Sequence, residues 1–169
     1  MADAELRALA ERLQGICLGR HLTVAVAESC TGGLVAATLT EIPGSSGYFL
    51  GGVVSYADSA KAGLLGVSEA TLAGHGAVSA QVARAMAVGA RNGFGASLAA
   101  SVTGIAGPDG GSPEKPVGLT YIGLAGAGTA EVRRCLWSGD REANRRESVR
   151  EVLHWLIERA ETSAGEDRT

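Results

Sequence analysis

A chain of 169 residues with 46% hydrophobic side chains is long enough for one buried core and too short for two ordinary domains; a single domain over residues 1–169 is expected, ordered over about 3–160. A formal charge of −3 and only 4% aromatic residues argue against a basic field or a base-stacking surface, so nucleic acid is not an expected partner. Three widely spaced cysteines, Cys17, Cys30 and Cys135, suit neither a disulfide framework nor a zinc site, and no apolar run reaches membrane-spanning length; a reducing, cytoplasmic setting without a membrane partner follows.

Leu6, Leu9, Leu13, Ile16 and Cys17 recur at helical spacing and predict an amphipathic helix over residues 3–19. The stretch TVAVA, residues 23–27, reads as a short buried strand. Gly32 and Gly33 then lead into a helix-like run, LVAATLTE, which Pro43 and Gly44 stop. FLGGVVSY, 49–56, reads as the next strand, with Asp58 as the cap of a helix that carries Lys61, Leu64 and Leu65. Ser68 and Ser79 are further N-cap candidates, the second opening an alanine-rich helix over 80–92.

ASLAASVTGIAG, 96–107, returns to strand and runs into PDGGSPEKP, a loop too rich in Gly and Pro for regular structure. VGLTYIGLAG and TAEVRRCLWSG form two strands joined by a hairpin at AGAGT. Asp140 opens a last helix to about Ala160, and the tail ETSAGEDRT is expected to fray. Strands alternating with helices and ending in a hairpin predict a three-layer α/β/α sandwich with a mixed sheet. Apolar stripes expected on the first and fourth helices point to a homo-oligomer.

The stretch AESCTGG, residues 27–33, lies at the carboxyl end of the first predicted strand, where open α/β sheets bind ligands. Glu28, Ser29 and Cys30 compete for a chemical role there. Serine needs a general base, a thiolate needs a basic neighbour, and a carboxylate can cap or orient the loop. The amides of Thr31, Gly32 and Gly33 would sit at a helix N-terminus, suited to a phosphate or a developing oxyanion. The same residues also suit a plain tight turn.

His21, His75 and His154 occupy positions that form no serine–histidine–aspartate order, and neither paired carboxylates nor metal-ligand spacing is present; no metal and no cofactor are expected. Lysine remains as a base, and the chain has only Lys61 and Lys115. Lys61 falls just after a predicted strand end, in a first helical turn whose dipole, with burial, would lower its pKa. Tyr56, five residues earlier, can hydrogen-bond the serine or the lysine. The alternative is a lysine on a solvated helix face.

AESCTGG, GGVVSYADSAK, HGAVS, TGIAGPDGG, KPVG and SGDREANRR occur in the order and approximate spacing of the CinA C-terminal domain family, the nicotinamide-nucleotide amidases also called PncC. The resemblance covers roughly residues 5–160 and is to the stand-alone form, without the molybdopterin-binding-like domain that larger members carry. It implies hydrolysis of nicotinamide mononucleotide to nicotinate mononucleotide and ammonia in pyridine-nucleotide salvage. By resemblance, Ser29 is the nucleophile, Lys61 its base and Tyr56 a helper, with oxyanion donors from Thr31, Gly32 and Gly33.

The sequence departs from the family at Asp58, where many relatives carry asparagine; a salt bridge there would raise the Lys61 pKa. Arg141 and Arg145, one helical turn apart, are the expected phosphate ligands; Ser45 and Ser46 are candidates for the ribose or phosphate pocket. Thr103, Gly104, Ala106 and Gly107 would shape the nicotinamide end. Two other readings stand beside this one: a nucleotide-binding module without turnover, and a competence-related interaction protein.

Overall fold

The computed structural model describes residues 3–163. Its elements are α1 (Ala4–Arg20), β1 (Val24–Glu28), α2 (Leu34–Thr40), β2 (Phe49–Val54), α3 (Asp58–Leu65), α4 (Glu69–His75), α5 (Ala80–Phe94), β3 (Leu98–Gly104), β4 (Leu119–Gly126), β5 (Thr129–Leu136) and α6 (Arg141–Thr162). The five strands form one sheet in the order β2-β1-β3-β4-β5. β2, β1 and β3 run parallel, while β4 and β5 each pair antiparallel with the preceding strand. With α1, α2 and α6 on one face and α3, α4 and α5 on the other, the expected three layers and mixed sheet are present.

Strand alternation decides what each face receives. Val24 and Val26 of β1 join Leu98, Ala100 and Val102 of β3 under α1 and α6, in the larger apolar cluster. Ala25, Ala27 and Ala99 point the other way and meet Val82, Met86 and Ala90 of α5. Small residues on that second face let α5 lie close. A Cβ on Gly123 would stand 2.5 Å from the Ala83 carbonyl oxygen, and one on Gly89 only 2.0 Å from that of Leu65. Ser101 ties the layers further, its hydroxyl donating to the Ala83 carbonyl at 2.6 Å.

The expected caps at Ser68, Ser79 and Asp140 each accept an amide from the first turn of their helices. The cap expected at Asp58 is not there. Ala57 is the cap residue, Asp58 is the first helical residue, and α3 has no side-chain cap bond. The strand expected over 49–56 stops at Val54, because the Ser55 amide turns to the Glu28 carbonyl (2.8 Å). The strand expected over 96–107 shortens to Leu98–Gly104.

The C-terminal residues expected to fray are tied down as far as Ser163. Glu161 pairs with Arg12, and the Ser163 carbonyl accepts from Arg20. The rest of that tail, 164–169, lies outside the described residues. The apolar stripe of α1 (Leu6, Ala10, Leu13 and Cys17) is buried, so it offers no surface for the expected homo-oligomer. Among the described residues no helix is long and apolar enough to cross a membrane.

Candidate active site

Three parallel strands end at one edge of the sheet, and each delivers residues to the same place. β1 ends at Glu28 and passes to Ser29; β2 passes to Ser55 and Tyr56; β3 ends at Gly104. Connections leaving β1 and β2 cover opposite faces of the sheet, so a crevice opens between them, as such topology requires. The Ser29 amide donates to the Val102 carbonyl at 3.0 Å and fixes the residue just beyond the strand end. A cavity of about 280 Å³ opens there, bordered among others by Ser29, Cys30, Tyr56, Lys61, Thr103 and Arg141.

Lys61, on the first turn of α3, reaches into this crevice and is only 1% exposed. Its Nζ stands 3.0 Å from Ser29 Oγ, 2.7 Å from the Ser55 carbonyl oxygen and 3.3 Å from the Tyr56 carbonyl oxygen. Burial lowers the Lys61 pKa below the usual lysine range; the carboxylate of Asp58 and Cys30 oppose this, with smaller effect. The concern raised by Asp58 is thus answered by burial. A neutral amine has two N–H donors and one lone pair, and carbonyl oxygens accept only. With both donors on Ser55 and Tyr56, the lone pair faces the Ser29 hydroxyl.

Cys30 borders the same cavity, but burial pushes its thiol up to about 11, with the Glu28 charge adding to the effect. It is a protonated thiol at neutral pH and a poor nucleophile. Glu28, buried beneath the turn, caps α2. Its carboxylate accepts from the Thr31 hydroxyl (2.7 Å) and from the amides of Val35 (2.8 Å) and Ala36 (3.1 Å). The positive end of α2 is therefore already answered by a side chain of this protein.

This changes the part expected of Thr31, Gly32 and Gly33. The Gly32 amide donates back to the Ser29 carbonyl at 3.0 Å, Thr31 is fully buried, and none of the three borders the cavity. Gly32 and Gly33 hold φ of +59° and +100°, so they make the turn itself. Tyr56 also differs from expectation. Its ring is 60% exposed at the cavity rim, and its hydroxyl accepts from Arg141 Nη2 at 3.1 Å, not from Lys61 or toward Ser29.

Thr103, Gly104, Ala106 and Gly107 border the cavity as expected. A Cβ at Gly104 would meet Thr120 Oγ1 at 2.6 Å, so glycine is required there. Arg141 borders the cavity too, its Nη1 donating to the Gly107 carbonyl at 2.9 Å. Arg145 does not. Its Nη2 donates to the Thr31 carbonyl at 2.9 Å from behind the turn, where it borders a separate cavity of about 560 Å³ between α1, α2 and α6.

Ser45 and Ser46 lie in a short helical turn before β2, at the opposite end of the parallel strands and on the order of 15 Å away along the strand. They are not part of this site. Asn144 was not expected and is: fully buried on α6, it donates to the Ala106 carbonyl (3.0 Å) and accepts the Gly139 amide (3.0 Å). Its position three residues after Arg141, on the same helix face, was the available signal.

The fold and the paired Ser29 and Lys61 define an α/β/α protein with a buried serine–lysine pair at the carboxyl ends of parallel strands. Residues 6–160 match the model of the CinA C-terminal domain, and the chain belongs to that family. A CinA-like protein of Citrifermentans bemidjiense is 56% identical over 146 residues, which are 86% of this chain and 35% of that protein. The chain spans about a third of the length of such relatives. The nicotinamide-nucleotide amidohydrolase PncC of Escherichia coli K12 is 49% identical over 157 residues, covering 92% of this chain and 95% of that protein. The crystal structure of the competence/damage inducible protein CihA from Agrobacterium tumefaciens has a TM-score of 0.91 at 41% identity, over 94% of this chain and 97% of that one.

Proposed function

We propose that the protein hydrolyses the carboxamide of nicotinamide mononucleotide, giving nicotinate mononucleotide and ammonia, with Ser29 as nucleophile and Lys61 as base. The observation that carries the reading is the buried Nζ of Lys61, held by two carbonyls and 3.0 Å from Ser29 Oγ. The likeness to the E. coli amidohydrolase over nearly the full length of both chains supports the choice of substrate.

Neutral Lys61 takes the Ser29 proton as Oγ bonds to the carboxamide carbon, and the carbonyl π electrons move to oxygen. Of the turn residues once expected to hold that oxyanion, none borders the cavity; Cys30 does, and its amide takes the role. Lys61 then returns the proton to nitrogen, the C–N bond breaks and ammonia leaves. Water, deprotonated by the same amine, attacks the acyl carbon and releases nicotinate mononucleotide, with the proton passing back to Ser29 Oγ. Tyr56 acts at the rim through Arg141.

Arg141 is the phosphate ligand. Among the described residues it makes no ion pair, and its partners are a neutral phenol and a carbonyl, whereas Arg146 and Arg150 on the same helix pair with Asp3, Glu5 and Glu147. Its charge is free to meet an anion at the cavity rim. The test is ammonia and nicotinate mononucleotide formation from nicotinamide mononucleotide, with nicotinamide riboside and free nicotinamide as comparators. Turnover that favours the mononucleotide supports the reading; saturable binding without ammonia release identifies a binding module instead.

A further inference from the structure

We infer that Glu28 and Arg145 are positioning residues that brace the nucleophile turn from two sides through Thr31. The inference rests on the reading of Ser29 as nucleophile. Thr31 is fully buried two residues beyond Ser29, and each of its polar ends is taken by a different element of the fold. Its hydroxyl donates to Glu28 Oε1 at 2.7 Å, below the turn and continuous with β1. Its carbonyl accepts Arg145 Nη2 at 2.9 Å, from α6.

Neither partner can drift alone. Glu28 also holds the Val35 and Ala36 amides, so rotating its carboxylate would uncap α2. Arg145 follows Asn144, which locks the same turn of α6 to the Ala106 carbonyl on the opposite wall of the cavity. The turn between them has little stiffness of its own, since two successive glycines at positive φ carry it. Ser29 is attached directly to this turn: its carbonyl accepts the Gly32 amide, and its Oγ must face Lys61.

The placement of Arg145 is costly for stability. Its Nε is buried without a hydrogen-bond partner, and its charge has no carboxylate in an ion pair among the described residues. A guanidinium kept in such a place to hold one carbonyl acts on that carbonyl. It stands behind the turn, outside the cavity where the substrate phosphate is placed, so its effect reaches the reaction through the position of Ser29.

The test uses Arg145→Gln, Thr31→Val and Thr31→Ser in the full chain. Two reactions are followed: ammonia release from nicotinamide mononucleotide and nicotinamide riboside, and labelling by a small alkyl phosphonofluoridate that carries no nicotinamide. In the labelling step Ser29 Oγ bonds to phosphorus, the P–F bond breaks, fluoride leaves and Lys61 takes the proton. Arg145→Gln and Thr31→Val are expected to lower kcat on both substrates and the labelling rate alike, by about 10²-fold. KM and the acid limb of the pH profile stay as in the wild type, because Arg141 and Lys61 are untouched. Thr31→Ser, which keeps the hydroxyl, restores the rate.

The brace is overturned if Arg145→Gln raises KM for the mononucleotide alone and leaves labelling unchanged, since Arg145 is then a phosphate ligand. It is equally overturned if Thr31→Ser is as slow as Thr31→Val, or if the wild type does not label at Ser29. A wild type that labels but releases no ammonia refutes the substrate reading alone, and the labelling ratios still decide the brace.

Discussion

Replacing Lys61 by methionine separates the lysine's chemical task from its effect on folding. The side chain is 1% exposed, and methionine fills a similar length without an amine. Two terms oppose each other at neutral pH. The variant leaves the buried Ser55 carbonyl without its 2.7 Å donor, a loss of about 1–3 kcal/mol. It also removes an amine whose pKa is lowered in the folded state, and each pKa unit of that shift relieves about 1.4 kcal/mol. The two proteins should therefore differ by no more than roughly 2 kcal/mol near pH 7.

The difference then changes with pH in a defined sense. Between the lowered folded pKa and the ordinary lysine value of 10.5, the unfolded chain holds a proton at this site that the folded chain does not. Wild-type stability rises with pH across that window, by up to about 1.4 kcal/mol per pH unit, and the methionine variant gains nothing from the site. Urea midpoints for both proteins from pH 7 to 10 measure it; Lys115 and the tyrosines titrate in both and cancel. A wild-type advantage that stays flat or shrinks as pH rises would refute a burial-depressed Lys61.

Asp58→Asn removes a charge that raises the Lys61 pKa, so the acid limb of kcat should move to lower pH and activity at neutral pH should rise; a shift to higher pH contradicts the assignment. Arg141→Ala should raise KM for nicotinamide mononucleotide by roughly 10- to 10²-fold, the worth of a charge-assisted hydrogen bond, and leave the riboside unchanged. Gly89→Ala would press a methyl to 2.0 Å from the Leu65 carbonyl oxygen, where α5 crosses α3, and should cost about 1–3 kcal/mol or more in urea unfolding.

Local features were legible because local physics makes them. Ser68, Ser79 and Asp140 cap the helices they precede, and the hairpin turns at Ala127 and Gly128, where Gly128 takes φ of +71°. Asp58 was the exception: three residues from Lys61, it starts its helix one position later than a cap would. The pairing of Ser29 with Lys61 was legible as two motifs at strand ends. The 3.0 Å contact across 32 residues was not, since it depends on how β1 and β2 lie side by side.

Side-chain direction was least legible. Arg141 and Arg145 share a helix face, yet one meets Tyr56 and Gly107 at the rim while the other turns behind Ser29 to Thr31. Ser45 and Ser46 were placed in the pocket although they precede a strand parallel to β1, which puts them at the far end of the sheet from Ser29. Glu28 was read with several possible roles; only the folded turn shows its carboxylate shared between Thr31 and the start of α2.

The central claim is that a serine activated by a buried lysine does the chemistry and that the neighbouring thiol does not. Ammonia release from nicotinamide mononucleotide, measured for the wild type, Ser29→Ala, Lys61→Ala and Cys30→Ala with circular dichroism confirming that each is folded, tests it most directly. The account predicts an active wild type, an active Cys30→Ala, and losses of at least about 10²-fold in the other two. A folded Ser29→Ala or Lys61→Ala that keeps wild-type turnover, or a Cys30→Ala that loses it, would contradict the account.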